Sequence, residues 1–190
     1  MKAPGLHWIY LLCAGLAGCS TYTVHPLYTV EDSIVEPAVE GTWVSDDKTE
    51  FHVAKASANE YSLEVAPADS EVLQHYTVHL VRLGDQLFAD MIFESQTLDG
   101  TKLDDAAGLV PAHVILKLNL DANKLGYATL DKDAIVSQIA GDTQPMEKLM
   151  VENVLLLTAP TEVLRSYVSA QAETVFTQTD YMTKKNQPSQ

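Results

Sequence analysis

Two strand-like runs, Gln74 to Leu83 (QHYTVHLVRL) and Gln86 to Phe93 (QLFADMIF), are separated only by Gly84-Asp85. That spacing restricts the fold more than any other stretch. A two-residue connection leaves no room for a crossover, so the two strands must pair antiparallel, and Gly at the first turn position suits a type II′ turn. A period of two marks Tyr61, Leu63 and Val65, and again Ala112, Val114, Leu116, Leu118 and Leu120, which alternate with His113, Ile115, Lys117 and Asn119. Asp121-Ala122-Asn123 turns that run into Leu125 to Leu130, and Thr42 to Ser45 and Glu50 to Ala54 flank the turn Asp46-Asp47-Lys48 as a further hairpin. Asn153 to Leu157 and Glu173 to Gln178 complete the predicted strands.

Two helices interrupt this pattern late in the chain. Asp131 is placed to cap one, with Ile135, Val136 and Ile139 as its apolar stripe and Gly141 at its end. The other opens at Thr158-Ala159-Pro160-Thr161-Glu162, with Thr158 as its hydroxyl cap and Val163, Leu164, Tyr167 and Val168 on one face. Strands in meander order with late helices predict a mainly β (α+β) domain. Its antiparallel meander is barrel-like or a strongly curved sheet, and two short helices lie in the C-terminal half.

The first residues carry an address. Met1-Lys2 precedes an apolar run from Leu6 to Leu16, too short to span a hydrocarbon core of about 30 Å, and the stretch reads as a secretory signal peptide. Its closing tetrapeptide, Leu16-Ala17-Gly18-Cys19, resembles the lipobox of bacterial lipoproteins. That resemblance implies acylation of Cys19 as the first residue of the mature chain, and Ser20 after it implies an outer-membrane location facing the periplasm. The bland alternative is an ordinary secretory signal with an incidental Cys. Several acyl chains on one residue anchor firmly, since each buried CH₂ contributes about 0.8 kcal/mol. The chain therefore divides into a signal peptide (1–18), a lipid-attachment and linker segment (19–40), a single β-rich domain (41–180) and a disordered tail (181–190). Within the linker, Glu36-Pro37-Ala38-Val39 suits a single helical turn with Pro37 at its first position.

Little chemistry is signalled. The two cysteines are Cys13, inside the apolar run, and Cys19, so the mature domain has no thiol for disulfides, metals or catalysis. A net charge of −14 repels phosphates and excludes nucleic acid as a partner. His75 and His79 share a strand face, with His52 and His113 on other strands, but no Cys or carboxylate cluster accompanies them. Outward-facing histidines are the favoured reading over a three-His metal site. The acidic stretch Asp99 to Asp105 lacks the spacing of a calcium loop. No G-x-S-x-G, S-x-x-K or H-E-x-x-H motif occurs. The carboxylate pairs Asp46-Asp47 and Asp104-Asp105 fall in turns, where water holds their pKa values near normal. No catalytic residue, cofactor or metal is predicted, and the chain does not read as an enzyme.

Gly41-Thr42-Trp43, after the short turn at Pro37, resembles the opening of lipocalins, in which a Gly-x-Trp begins the first strand and the Trp plugs one end of an eight-stranded barrel. The lipocalin Thr-Asp-x-x-Tyr pattern is absent, and two late helices replace the usual single one. The stretch Leu155 to Thr161 is similar to uncharacterised bacterial lipoproteins, which adds location and no chemistry. The aromatic residues Trp43, Tyr61, Tyr76, Phe88, Phe93, Tyr127 and Tyr167 suit core packing better than a ligand cavity. The expectation is a domain held to the membrane through acylated Cys19 that acts by binding an envelope protein or, as a lipocalin-like carrier, a small apolar ligand. A hydrolase of envelope material is the remaining alternative.

Overall fold

Strands that alternate at period two can hide one face only by curling onto themselves or by finding a cover, and this chain does both. The computed structural model describes residues 21–102, 112–141 and 146–185, so the Leu16-Ala17-Gly18-Cys19 stretch and Asp104-Asp105 lie outside the described residues. In chain order come β1 (Thr21–Thr23), β2 (Ser33–Ile34), a 3-10 turn (Pro37–Val39), β3 (Gly41–Ser45), β4 (Glu50–Lys55), β5 (Tyr61–Ala66), β6 (Val72–Leu83) and β7 (Gln86–Leu98). There follow β8 (Thr101–Lys102), β9 (His113–Asp121), β10 (Lys124–Thr129), α1 (Lys132–Gly141), β11 (Lys148–Val151), β12 (Val154–Leu157), α2 (Thr161–Val175) and β13 (Asp180–Lys184).

Eight of these strands, β3, β4, β5, β6, β7, β9, β10 and β13, pair antiparallel in that order. The ring closes where Met182, Thr183 and Lys184 stand opposite Ser45, Val44 and Trp43. A closed barrel leaves no unpaired edge in the ring. At the β6–β7 turn Gly84 has φ +61 while Asp85 is not among the positive-φ residues, as a type II′ turn requires. Outside the ring, β11 pairs antiparallel with β12, β12 runs parallel to β1, and β1 joins β9 through Thr23 opposite His113. The parallel pair is the one pairing that departs from an antiparallel meander among the described residues.

The barrel wall buries apolar side chains on both faces. Inward-pointing Tyr61, Leu63, Val65, Val78, Leu80, Ala89, Met91, Val114 and Leu116 form one core with Trp43. Outward-pointing Val81, Phe88 and Ile115 form a second core with Ile135 of α1, Leu164 and Val168 of α2, Leu155 and Leu157 of β12, and Leu27. After the seventh barrel strand the chain thus leaves the ring, lays α1, β12 and α2 on the outer wall, and returns as the eighth strand.

One end of the barrel is closed by the 3-10 turn. Trp43, fully buried, donates its indole N–H to the carbonyl of Val39 at 2.7 Å. The ammonium of Lys184 lies 5.0 Å from the Trp43 ring centroid and donates to the carbonyl of Ala38 at 3.3 Å. Gly41 has φ +122, and a Cβ there would stand 3.0 Å from Lys184 Cε, so both backbone and space call for glycine.

Four expectations need correction. Glu173 to Val175 belong to α2 rather than to a last strand, because Ala172 and Val175 extend the buried stripe of the helix. That helix begins at Thr161 after Pro160, with no side-chain cap, so Thr158 does not cap it. The expected tail at 181–190 starts inside β13, whose Met182 is buried in the barrel. Finally, the domain starts before residue 41, since residues 21 to 40, expected to pack in part, supply β1, β2, the 3-10 turn and the fully buried Leu27.

Asp131 caps α1 as expected, its carboxylate accepting from the backbone N–H of Asp133 at 2.9 Å and of Ala134 at 3.0 Å, and from the Thr177 hydroxyl. The Ala134 N–H first, then the Thr177 hydroxyl, hold its pKa below the ordinary Asp value. A depressed folded pKa contributes stability that is fully present above the unfolded value, about 3.9, and is lost as pH falls through the folded one. Asp131→Ala should therefore lower stability by about 1 kcal/mol at neutral pH, with Asp131→Asn between the two. The gap between wild type and Asp131→Asn should close below about pH 4. Urea denaturation at both pH values checks this, and coincident neutral-pH midpoints for wild type and the Ala variant would refute the cap.

Candidate ligand site in the barrel

Inside the barrel the inward residues leave a cavity lined solely by apolar and aromatic side chains. Trp43 and Val39 belong to its lining from the closed end, with Leu80, Ala89, Met91 and Leu116 from the strands between. The cavity is small, ≈ 60 Å³, so side chains fill most of the lumen.

The polar end adjoins this cavity. Phe51 and Tyr127 line both the lumen and a second recess of ≈ 260 Å³, formed with Ser45, Asp46, Asp47, Asp180 and Tyr181. Pairing places these groups together, because Tyr127 stands opposite Asp180 and Ser45 opposite Met182. The Ser45 hydroxyl donates to Asp47 and, with the Thr49 N–H, keeps the Asp47 carboxyl below its usual range despite some opposing desolvation. This corrects the expectation that water alone sets the Asp46-Asp47 turn. Burial pushes the Tyr127 phenol up, and the Asp180 and Asp47 carboxylates push it further, so it stays a neutral donor. The recess is rich in acceptors and has no cationic residue in its lining.

The four strand histidines are not brought together. His75 and His79 share the outer face as expected, yet each histidine meets its own carboxylate: His52 with Glu50 at 3.6 Å, His75 with Glu64 at 3.8 Å, His79 with Glu60 at 3.8 Å and His113 with Asp90 at 2.6 Å. Among the described residues no three His, Cys, Asp or Glu side chains stand as a metal-binding group. Asp99 and Gly100, with φ +51 and +73, form the tight turn between β7 and β8. Cys19 lies outside the described residues. Among those described, no helix is long and apolar enough to cross a membrane.

Sequence reasoning passed over Asp90. It is wholly buried on the outer wall, where Oδ1 meets His113 Nδ1 at 2.6 Å and Oδ2 accepts the backbone N–H of Leu27 at 2.6 Å. Arg165 of α2 completes the clasp, donating to the Leu27 carbonyl at 2.8 Å and pairing with Asp32 at 2.6 Å. The available signal was an acid inside the apolar run LFADMIF, where a solvated residue has no place. With all its partners within the protein, this cluster fixes the N-terminal segment against the barrel and helix.

No protein-family model, curated protein or solved structure matches this chain. The functional reading therefore rests on the geometry. For the buried clasp, Asp90→Ala leaves His113 and the Leu27 N–H without their acceptor and should destabilise by about 3–5 kcal/mol. The exposed residues 29 to 31 should then become open to limited proteolysis. A loss under about 1 kcal/mol in urea denaturation would mean that water already serves these groups.

Proposed function

We propose that this protein is a lipid-anchored envelope domain that acts by binding, with the barrel lumen as the site for a slender apolar chain. The observation that carries the reading is the all-apolar lumen beside a polar recess. A dry void of this kind destabilises a fold by about 24 cal/mol per Å³, or about 1.4 kcal/mol here, which a guest restores. Size narrows the guest. A cavity of about 150 Å³ holds benzene, so the room left by Trp43, Ala89 and Met91 suits the end of an alkyl chain rather than a ring. Met91 and Met182 are unbranched and adaptable, and their movement admits more of the chain. Asp46, Asp47 and Asp180 at the recess disfavour an anionic head and favour a neutral or cationic one. Anchoring is supported by the tetrapeptide ending at Cys19, and Ser20 after it favours, by the same resemblance, the outer membrane facing the periplasm.

Trp43 is the sole tryptophan after residue 18 and lines the lumen, so its fluorescence reports occupancy. A long-chain alcohol brominated near its methyl end should quench Trp43, and its brominated fatty-acid counterpart should bind more weakly. Ala89→Leu, which fills the lumen, should weaken binding about tenfold, equivalent to about 1.4 kcal/mol. Absence of quenching by either compound overturns the lumen site. For the anchor, Cys19→Ala should abolish acylation and release the protein from membranes; unchanged fractionation refutes it.

A further inference from the structure

The β11–β12 hairpin exposes more apolar surface than a short surface hairpin needs. Leu149 is 53% exposed, Met150 46%, Val151 54% and Val154 38%, and β11 is the outermost strand of its sheet among the described residues. Register sorts these side chains. Leu149 stands opposite Leu156 and Val151 opposite Val154, so all four share one face, while Leu155 and Leu157 on the other face are buried against the helices. Tyr22 of β1 stands opposite Leu156 on that same apolar face and packs on the core inside the barrel. The exposed face therefore lies on the side of the sheet that continues the barrel interior.

Chain direction supplies the occupant. β1 runs parallel to β12 with Thr21 opposite Leu155, so the chain enters β1 from the side of the Glu152-Asn153 turn. Cys19 is two residues earlier, within about 8 Å of chain. Acyl chains on Cys19 would enter the bilayer beside this hairpin.

We propose that the β11–β12 hairpin is a membrane-docking element whose apolar face rests in the lipid interface next to the anchor. The proposal rests on the lipid-anchor reading of Cys19. Contact is made by apolar burial rather than by headgroup charge, because Glu147 and Glu152 flank the strand and the net charge is −14. Docking turns the interior side of the β1–β12–β11 sheet towards lipid.

The test uses the full mature protein reconstituted in phosphatidylcholine vesicles. Acylated Cys19 has no free thiol, so Val151→Cys carries an environment-sensitive fluorophore alone, and Ser57→Cys, exposed in the turn between β4 and β5 and outside the apolar face, serves as control. The expected result is a blue-shifted emission at 151 that nitroxide-bearing lipids quench and raised salt leaves unchanged, with an aqueous spectrum at 57. An aqueous spectrum at both positions, with an intact mass that includes the acyl groups, overturns docking and leaves the anchor standing. A mass without acyl groups overturns the anchor and docking with it. A Cys19→Ala form that sediments as a dimer, returned to monomer by Leu149→Asp, would assign the face to a second copy and overturn the lipid contact.

Discussion

Everything in this fold depends on the pairing of Asp180–Lys184 between β10 and β3, because that pairing converts a curved meander into a ring. Without it, β3 and β10 each present an open edge, and the inward side chains have no enclosed volume to fill. The same five residues carry Lys184 to the carbonyl of Ala38 and the face of Trp43, so one strand closes both the ring and one end of the lumen. Its position in sequence is equally consequential. The chain reaches its closing strand only after α1, β12 and α2 have been laid on the outer wall, which ties the closure of the inner core to the cover of the outer one.

That coupling explains the strand patterns. β7 has five successive buried residues, Leu87 to Met91, where simple alternation expects every second one. Leu87, Ala89 and Met91 serve the lumen, while Phe88 and Asp90 serve the outer wall. An acid is tolerated there because His113 and the Leu27 N–H replace its water. The clasp also gives Leu27 and the segment that follows β1 a defined place against the barrel and α2.

Legibility followed the strength of local pattern. The β6–β7 hairpin, the turn at Pro37–Val39 and the Asp131 cap were readable because each rests on contacts close in sequence. β13 was not, since DYMTK buries only Met182 and owes its strand form to partners at positions 43 to 45 and 124 to 127. Its apparent substitute, Glu173 to Gln178, borrowed β-branched Thr174 and Val175 from a helix whose stripe ends there. The lumen was legible as a set of inward residues but not as a volume, because ≈ 60 Å³ is a remainder left by side chains from eight strands. Asp90 and His113 lie 23 residues apart, and nothing in either neighbourhood announces the other.

The lumen has two unlike ends. The 3-10 turn, Trp43 and Lys184 stand at one, and the acidic recess of Asp46, Asp47 and Asp180 lies at the other, where β9 begins and Thr23 of β1 joins it. β1 runs antiparallel to β9, so Thr21 lies on the plugged-end side of Thr23, next to the start of β12 and the Glu152-Asn153 turn. The chain therefore enters β1 from the direction of the plugged end, and the acidic recess lies at the opposite one. On the proposed reading a guest in the lumen would present its head to those carboxylates, and the acidity of the domain would then bear on selectivity as well as on solubility.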